Sequence, residues 1–228
     1  MYVKDHMTKN PVTVTKDVVL SKAVDIMAKG GFHRLPVVNA GGKLIGLVTA
    51  GLVTESSGSA STSLSIYELN YLLSRTTVED IMIRDVKTIA PDVFLEEAAQ
   101  KMIDNKISVL PVVDEEEKVI GVITEKDIFQ AFVDLTGYNT AGTRFVIACE
   151  DKPGVFSKVT QLFAQEDANL ENLAVYHTER GVEVEIKATG EVSVERMTKV
   201  LTDAGFELHD VFQRLKDGSV KHYPVTAE

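Results

Sequence analysis

The 228-residue chain has one cysteine, no tryptophan and no long hydrophobic run. A single cysteine, Cys149, cannot form an internal disulfide, which argues against a disulfide-stapled secreted domain. The longest apolar stretch, residues 44–53, is interrupted by two glycines and a threonine and is far shorter than the roughly 18–20 residues of a membrane span. The first residues lack the apolar segment of a secretory signal. We therefore expect a cytoplasmic protein without a membrane-spanning helix.

Positive charge is also scarce, since 24 lysine and arginine residues face 34 aspartate and glutamate residues, for a net charge of −10. The deficit is even, because residues 1–140 carry 14 basic and 19 acidic side chains and residues 141–228 carry 10 and 15. The long-range field of such a chain repels nucleic acid and anionic lipid. We therefore expect neither nucleic acid nor a membrane among its partners.

What the sequence does contain is an internal repeat at an offset of 75 residues. Without gaps, residues 7 to about 53 match the segment that begins at residue 82. Such self-similarity means two copies of one structural unit. The identical pairs include Met7/Met82, Pro36/Pro111, Gly46/Gly121 and Thr49/Thr124.

Each copy has the same predicted order of elements: a short extended piece, a helix, a strand that includes a proline, a polar turn, and an apolar strand that leads into a helix. We predict one domain at residues 1–54, a linker and helix at 55–76, and a second domain at 77–134. Residues 55–63 contain five serines and one glycine, a composition typical of a flexible linker. The acidic turn at residues 115–117 is interpreted as a solvated hairpin tip, and no metal site is predicted there.

The repeated pattern Pro-Val-Val, turn, Ile-Gly and Thr-x-x-Asp resembles a tandem pair of CBS domains. The resemblance covers residues 1 to about 134. It implies a mixed fold, α+β or α/β, in which the two copies dock as a flat Bateman module and bind adenine nucleotides in the clefts between them.

The second copy carries a candidate ribose-binding pair. Thr124 ends a predicted strand, and Asp127 follows three residues later in the first turn of a helix. A hydroxyl and a carboxylate at this spacing lie on one face and can hold the paired hydroxyls of a ribose. The same pair equally fits a helix N-cap, with Asp127 favoured by the helix dipole. The first copy keeps Thr49 but has Leu52 in place of the carboxylate, so its ribose site is predicted to be broken.

Candidate phosphate ligands lie in the first copy, which has His33 and Arg34 where the second has Ser108 and Val109. A guanidinium gives bidentate bonds to phosphate, and an imidazole adds a donor. The alternative is a surface arginine beside a partly buried histidine. In related nucleotide-binding CBS proteins, such as the gamma subunit of AMP-activated kinase, such a pair contacts the phosphates of a nucleotide whose ribose the other copy holds. The resemblance therefore implies one competent nucleotide site per chain. We predict that its adenine is framed by Thr88, Ile89, Leu110 and Pro111.

Residues 142–215 follow a different pattern, strand-helix-strand-strand-helix-strand, which is a ferredoxin-like unit, and residues 216–228 are left as a C-terminal tail. The segment from Asp151 through Pro153 and Gly154 to Val155, with Asn169 after the next helix, resembles an ACT domain, a regulatory module that often binds amino acids. Gly154 would let a ligand approach the backbone, and the first amides of the helix could bind a carboxylate. The structural alternative makes Asp151 the N-cap, Pro153 the first helical residue and Gly154 a turn residue.

Two CBS copies followed by an ACT-like module resemble the AcuB-type acetoin-utilisation proteins. The sequence shows no nucleophile–base pair and no metal-binding histidine spacing, so we predict no catalytic residue, catalytic cofactor or metal. The resemblance implies a non-catalytic, homodimeric regulator that binds AMP, ADP or ATP and signals to the ACT module or to an unidentified regulated protein. The alternatives are a scaffold with vestigial clefts, or a cryptic nucleotide hydrolase that uses Asp127 or His33.

Overall fold

Two units divide the chain, Met1–Gln130 and Ala131–Glu228, and each is described by itself. A computed structural model describes residues 1–56, 66–179, 181–190 and 192–225. Residues 57–65 of the predicted linker and helix therefore lie outside the described residues, as do residues 226–228 of the predicted tail. In the described ranges, none of the helices is both long enough and apolar enough to cross a membrane.

In the first unit, each copy forms an antiparallel strand pair flanked by helices. The first copy consists of α1 (Val3–His6), β1 (Thr8–Lys9), α2 (Leu20–Gly30), β2 (Arg34–Val38), β3 (Leu44–Thr49) and α3 (Ala50–Ser56). Helix α4 (Ile66–Arg75) comes between the copies. The second copy consists of α5 (Val78–Ile81), α6 (Leu95–Asn105), β4 (Val109–Val113), β5 (Val119–Thr124) and α7 (Glu125–Leu135), the last of which continues into the second unit.

The offset of 75 residues holds element by element. Helix α6 begins and ends 75 residues after α2, and the same is true of β4 after β2 and of β5 after β3. Both strand pairs shift register at the same step, between Val37 and Val38 and between Val112 and Val113. The predicted repeat is therefore confirmed as two copies of one fold unit. Both first helices bury the same three positions: Leu20, Ala23 and Met27 in α2, and Leu95, Ala98 and Met102 in α6.

The two copies exchange their leading segments, which are the residues that precede α2 in the first copy and α6 in the second. Strand β1 of the first copy pairs with β5 of the second, with Thr8 opposite Val122. In return, Ile83 bridges Leu47 in β3 through two backbone hydrogen bonds of 2.9 Å. Each copy therefore completes its partner's strand pair, which places the loop after β1 against the second copy.

The second unit has the predicted ferredoxin-like order and one further strand. Helices α8 and α9 share one core with the sheet, built around Phe145, Phe163 and Met197. The antiparallel sheet has the order β10-β9-β6-β8-β7. The segment predicted as a tail thus contributes β10, which pairs with β9. The elements are β6 (Gly142–Cys149), α8 (Val155–Gln165), β7 (Asn169–Thr178), β8 (Gly181–Thr189), α9 (Val194–Asp203), β9 (Glu207–Arg214) and β10 (Val220–Tyr223).

Candidate functional site

A cavity of about 690 Å³ opens between the two copies of the first unit. This volume lies within the range of small-molecule sites. His33 and Arg34 of the first copy line it together with Thr124 and Asp127 of the second. The structure thus brings the predicted phosphate ligands and the predicted ribose ligands into one space.

The exchange of leading segments builds this cavity. Because β1 lies beside β5, the loop that follows β1 runs along the second copy, and Asn10 donates its backbone N–H to the carbonyl of Ile120 at 3.1 Å. Pro11 and Val12 of the same loop line the cavity together with Thr124. One wall therefore comes from the first copy and the other from the second.

Thr124 and Asp127 form a capping box at the start of α7. The backbone N–H and the hydroxyl of Thr124 donate to Oδ2 of Asp127 at 2.8 and 2.7 Å, and the Asp127 N–H donates back at 3.4 Å. The structural alternative considered for this pair is thus realised. Among the described residues, no group donates to the other carboxylate oxygen, Oδ1. The cap therefore holds a hydroxyl and a carboxylate side by side and leaves acceptor capacity toward the cavity.

Arg34 reaches across the cavity to the second copy. Its Nη2 donates to Oγ of Ser108, the residue that occupies the repeat position of His33. In the described parts of the chain the guanidinium has no other hydrogen-bond partner, so most of its five N–H donors are available to an anion. Arg34 is half-buried, whereas the neighbouring His33 is exposed at the cavity wall.

The first copy keeps the helix cap without the carboxylate. Oγ1 of Thr49 accepts the backbone N–H of Leu52 at 3.2 Å, which matches the cap at Thr124 in position but adds no negative charge. The repeat position of Arg34 is Val109, a buried residue of β4. The two copies therefore differ both in the carboxylate of the helix cap and in the guanidinium.

The four residues predicted to frame adenine do not line this cavity, and their role stays a prediction. Ile89 and Leu110 belong to the buried core, and Pro111 is buried in β4. Thr88 lines a separate cavity of about 170 Å³. The prediction takes the adenine frame and the ribose pair from the same copy.

Val12, half exposed, and Pro36 line the cavity and offer apolar surface for a flat base. Sequence reasoning missed Val12, Pro36 and Ser108. Pro36 is the repeat partner of Pro111, so the repeat itself pointed to this second proline. The exchange of leading segments decides which of the two prolines lines the cavity, and the sequence contains no pattern that predicts this exchange.

The predicted ACT ligand residues lie around the start of α8. Gly154, with φ 86° and ψ −7°, directly precedes the helix and Val155 begins it. The alternative in which Asp151 caps the helix and Pro153 is its first residue is therefore wrong. Asp151 and Pro153 are exposed.

Part of the predicted anion site at this helix start is already satisfied. The backbone N–H of Val155 donates to the carbonyl of Lys152 at 3.3 Å. Asn169 begins β7, and its Nδ2 donates to Oγ1 of Thr189 at 3.2 Å. Ligand binding by these residues stays a prediction.

Comparison with known proteins places this geometry in a family. The CBS domain family matches residues 3–55 and 78–134. An uncharacterized protein of Methanocaldococcus jannaschii is 31% identical over 155 residues, and the match covers 58% of this chain and 92% of that protein. The chain belongs to the CBS-domain family. Its C-terminal unit matches the AHAS small subunit-like ACT domain over residues 145–213, which confirms a CBS pair followed by an ACT domain.

Solved CBS structures resemble the first unit of this CBS-domain protein. The CBS domain pair of protein MJ0100, in complex with 5′-methylthioadenosine and S-adenosyl-L-methionine, is 30% identical, with a TM-score of 0.50, and the match covers 58% of this chain and 99% of that one. A protein of Vibrio cholerae provisionally assigned to acetoin utilization (AcuB) is 29% identical, with a TM-score of 0.50, and the match covers 60% of this chain and 93% of that one.

Some curated relatives of this CBS-domain protein are much larger enzymes. Homoserine O-acetyltransferase of Methanohalobium evestigatum is 34% identical over 127 residues, and the match covers 56% of this chain. The matched region spans only 23% of the length of that enzyme. Among the described residues of this chain, no three histidine, cysteine or acidic side chains form a group that could hold a metal ion.

Proposed function

We propose that this chain is a non-catalytic regulator that binds one adenine nucleotide, AMP, ADP or ATP, between its CBS copies. The observation that carries the proposal is the cavity of about 690 Å³ that unites Arg34 of one copy with Asp127 of the other. A ligand that bridges these residues interacts with both copies at once. Occupancy therefore favours whichever arrangement of the copies fits the nucleotide.

The ribose would bind at the start of α7. Oδ1 of Asp127 and Oγ1 of Thr124 can each accept a hydrogen bond from a ribose hydroxyl. Their mutual hydrogen bonds already fix both side chains, so little side-chain entropy is lost when the sugar binds.

The phosphates would bind at the wall formed by β2. Arg34 can offer a phosphate two parallel N–H donors, and its contact with Ser108 holds the guanidinium in the cavity. His33 lies beside it and adds a ring N–H. The adenine would then lie against Val12 and Pro36, which take the place of the frame predicted from sequence.

Calorimetric titration of the full chain with AMP, ADP and ATP tests this assignment. We expect one nucleotide per chain, and at least a tenfold weaker affinity in Asp127→Ala, because the carboxylate that receives the ribose hydroxyl is lost. Arg34→Gln should weaken binding of all three nucleotides by a similar factor, because it removes the charge-assisted bonds to phosphate.

The matched control is Asp80→Ala. Asp80 forms the same kind of capping box at α5, where the Thr77 N–H and hydroxyl donate to it at 2.8 Å and lower the pKa of its carboxyl. This variant loses a cap of equal kind outside the cavity, so nucleotide affinity should not change. Unchanged affinity in Asp127→Ala would contradict the ribose assignment, and two nucleotides per chain would contradict the asymmetry between the copies.

The choice of ligand class rests on the phosphate-binding side chains. S-adenosyl-L-methionine and 5′-methylthioadenosine share the adenosine but carry no phosphate, so we expect both to bind more weakly than AMP. Tighter binding of either compound would overturn the phosphate assignment. If none of these compounds raises the melting temperature, the nucleotide proposal fails and the scaffold alternative takes its place.

The regulated process is proposed from likeness alone. The similarity to the Vibrio cholerae protein supports a role in acetoin or related carbon metabolism, with the signal passing to the ACT domain or to a separate protein. We also expect a homodimer, since α4 exposes Tyr67 and Tyr71. Light scattering of the full chain checks the dimer, and a mass of one chain would refute it.

A further inference from the structure

The second unit contains a cavity of about 270 Å³ that shares no residue with the nucleotide cavity. Its floor is the face of the sheet that carries Arg144, Glu185 and Lys187, rather than the face that packs on the helices. One wall is the segment that leads from α7 into β6, and Val220 of β10 lines the other side. The predicted ACT ligand residues do not line this space.

A buried lysine anchors the first wall. The side chain of Lys187 is only 4% exposed, and its ammonium donates to the carbonyl of Gly137 and, at 3.0 Å, to that of Thr140. Its charge is balanced by Glu171 at 2.8 Å. These bonds hold the segment over the sheet, so the cavity exists before any ligand binds.

The second cation of the floor is paired as well. Nε of Arg144 lies 2.9 Å from Oε1 of Glu185, and both side chains are mostly buried. Nη2 of Arg144 donates to the carbonyl of Thr136 at 3.1 Å. Arg144 therefore contributes donors to the cavity but little unbalanced charge.

Arg214 differs from these two cations. Its Nη1 donates to the carbonyl of Gly218 at 3.1 Å, and its guanidinium lies 4.4 Å from the centre of the Tyr138 ring. Within the described residues it contacts no carboxylate. It thus places an unbalanced positive charge in a cavity, although residues 141–228 carry five more acidic than basic side chains. Such a guanidinium, half-buried and held by a ring, is suited to binding an anion.

Four further lining residues are apolar or aromatic. Phe212 and Val146 lie on the floor, and Tyr138 and Val220 lie at the sides. Phe212 stacks on His222 with ring centroids 4.6 Å apart, which fixes the orientation of its ring. A flat hydrocarbon body would fit between these surfaces, whereas a compact hydrated ion would leave them in contact with water.

We infer that this cavity binds a small organic carboxylate with a flat apolar body. Arg214 receives the carboxylate, and Phe212 and Val146 receive the body. The volume is slightly below that of common drug-sized sites, which restricts the ligand to a small metabolite.

Titration of the isotope-labelled full chain with benzoate, followed by nuclear magnetic resonance, tests the inference. Benzoate should shift the amide signals of Arg144, Phe212 and Arg214. Benzamide has the same shape without the charge and should bind at least tenfold more weakly. Inorganic phosphate should also bind more weakly than benzoate, because it has no apolar body.

Two variants with the same change of charge complete the test. Arg214→Gln should weaken benzoate at least tenfold, whereas Lys216→Gln, at an exposed neighbour, should leave its affinity unchanged. Arg214→Lys keeps the charge but loses the planar fork and should be intermediate; it also serves if the glutamine variant is unstable. Equal affinity for benzoate and benzamide, tighter binding of phosphate, or shifts confined to residues 151–155 would each overturn the inference.

Discussion

Two glycines at the same repeat position show how single residues permit the exchange between the copies. A Cβ on Gly121 would overlap the side chain of Met7, which packs over β5 from the other copy. A Cβ on Gly46 would overlap Met82 and also lie 3.0 Å from the backbone oxygen of Ile83. The glycine of the repeated Ile-Gly pattern is therefore explained by close approach of the partner copy.

We expect Gly46→Ala to destabilise the protein more than Gly121→Ala. Overpacking costs about 1–3 kcal/mol, and the flexible Met7 side chain can move aside whereas the backbone at Ile83 cannot. Urea unfolding of both variants measures the difference. Met7→Ala combined with Gly121→Ala should recover part of the loss, and a larger loss at Gly121 than at Gly46 would contradict this explanation.

The ion pair between Lys187 and Glu171 links stability to pH. The hydrogen bond from Lys187 lowers the pKa of Glu171 below its ordinary value of 4.5. A carboxyl with a lowered folded-state pKa stabilises the fold above its unfolded pKa, and this stability is lost as the pH falls through the folded value.

We expect Glu171→Gln to lower the free energy of unfolding by about 1–3 kcal/mol at pH 7, because a buried ammonium loses its charged partner. The difference from the unmodified protein should shrink as the pH falls below about 4.5. Denaturant unfolding between pH 3 and 7 measures both. Glu150→Gln is the control, since the Glu150–Lys152 pair is exposed and its loss should change little. A difference that does not shrink as the pH falls would contradict the assignment.

At the scale of elements, α2 and α6 end in the same way with different residues. Gly31 follows α2 with φ 67°, and Lys106 follows α6 with φ 53°, so both lie in the left-handed region. Glycine adopts this conformation without a steric penalty, whereas other residues pay about 1 kcal/mol or more. The second copy thus carries a strained helix end that the first copy avoids.

We therefore expect Lys106→Gly to stabilise the protein by about 0.5–1 kcal/mol and Gly31→Ala to destabilise it by about 1 kcal/mol. Apart from its chain neighbours, no atom of the described residues lies within 4 Å of a Cβ added at Gly31, so its cost would come from the backbone alone. Denaturant midpoints at constant slope report both changes. A loss of stability in Lys106→Gly would show that the lysine side chain matters more than the backbone.

At the scale of the whole molecule, each unit has a core of its own. The core of the second unit includes Met197 and Phe163, and a separate cluster around Leu35 and Met27 lies in the first unit. Since the proposed nucleotide site lies wholly within the first unit, nucleotide binding should raise the free energy of unfolding of that unit.

We expect calorimetry to show AMP raising the melting temperature of the first unit and not that of the second. At 100 times the dissociation constant, the added stability is about 2.7 kcal/mol. Met197→Ala identifies the second transition, because loss of core volume should lower it alone. An equal rise in both transitions, or an unchanged rise in Asp127→Ala, would contradict this prediction.

Much of the fold could be predicted from residue patterns. The second copy repeats the bounds of α2, β2 and β3 at the predicted offset, since apolar spacing and turn residues are local properties. Strand β10 was missed because a four-residue strand after a polar turn has little periodicity, and it exists only through its pairing with β9. The capping box of Thr124 and Asp127 was among the alternatives because it is also local.

The amino-acid sequence alone determined three features. These are the repeat, the presence of Leu52 where the other copy has a carboxylate, and the location of Arg34 and Asp127 on different copies. Only the tertiary packing decided which copy supplies the apolar residues that line the cavity together with Thr124. The pairing of β1 with β5 joins residues more than 100 positions apart, and such pairing depends on the shape of both copies rather than on local composition. For the same reason Val12 and Pro36, and not their repeat partners, line the proposed nucleotide site.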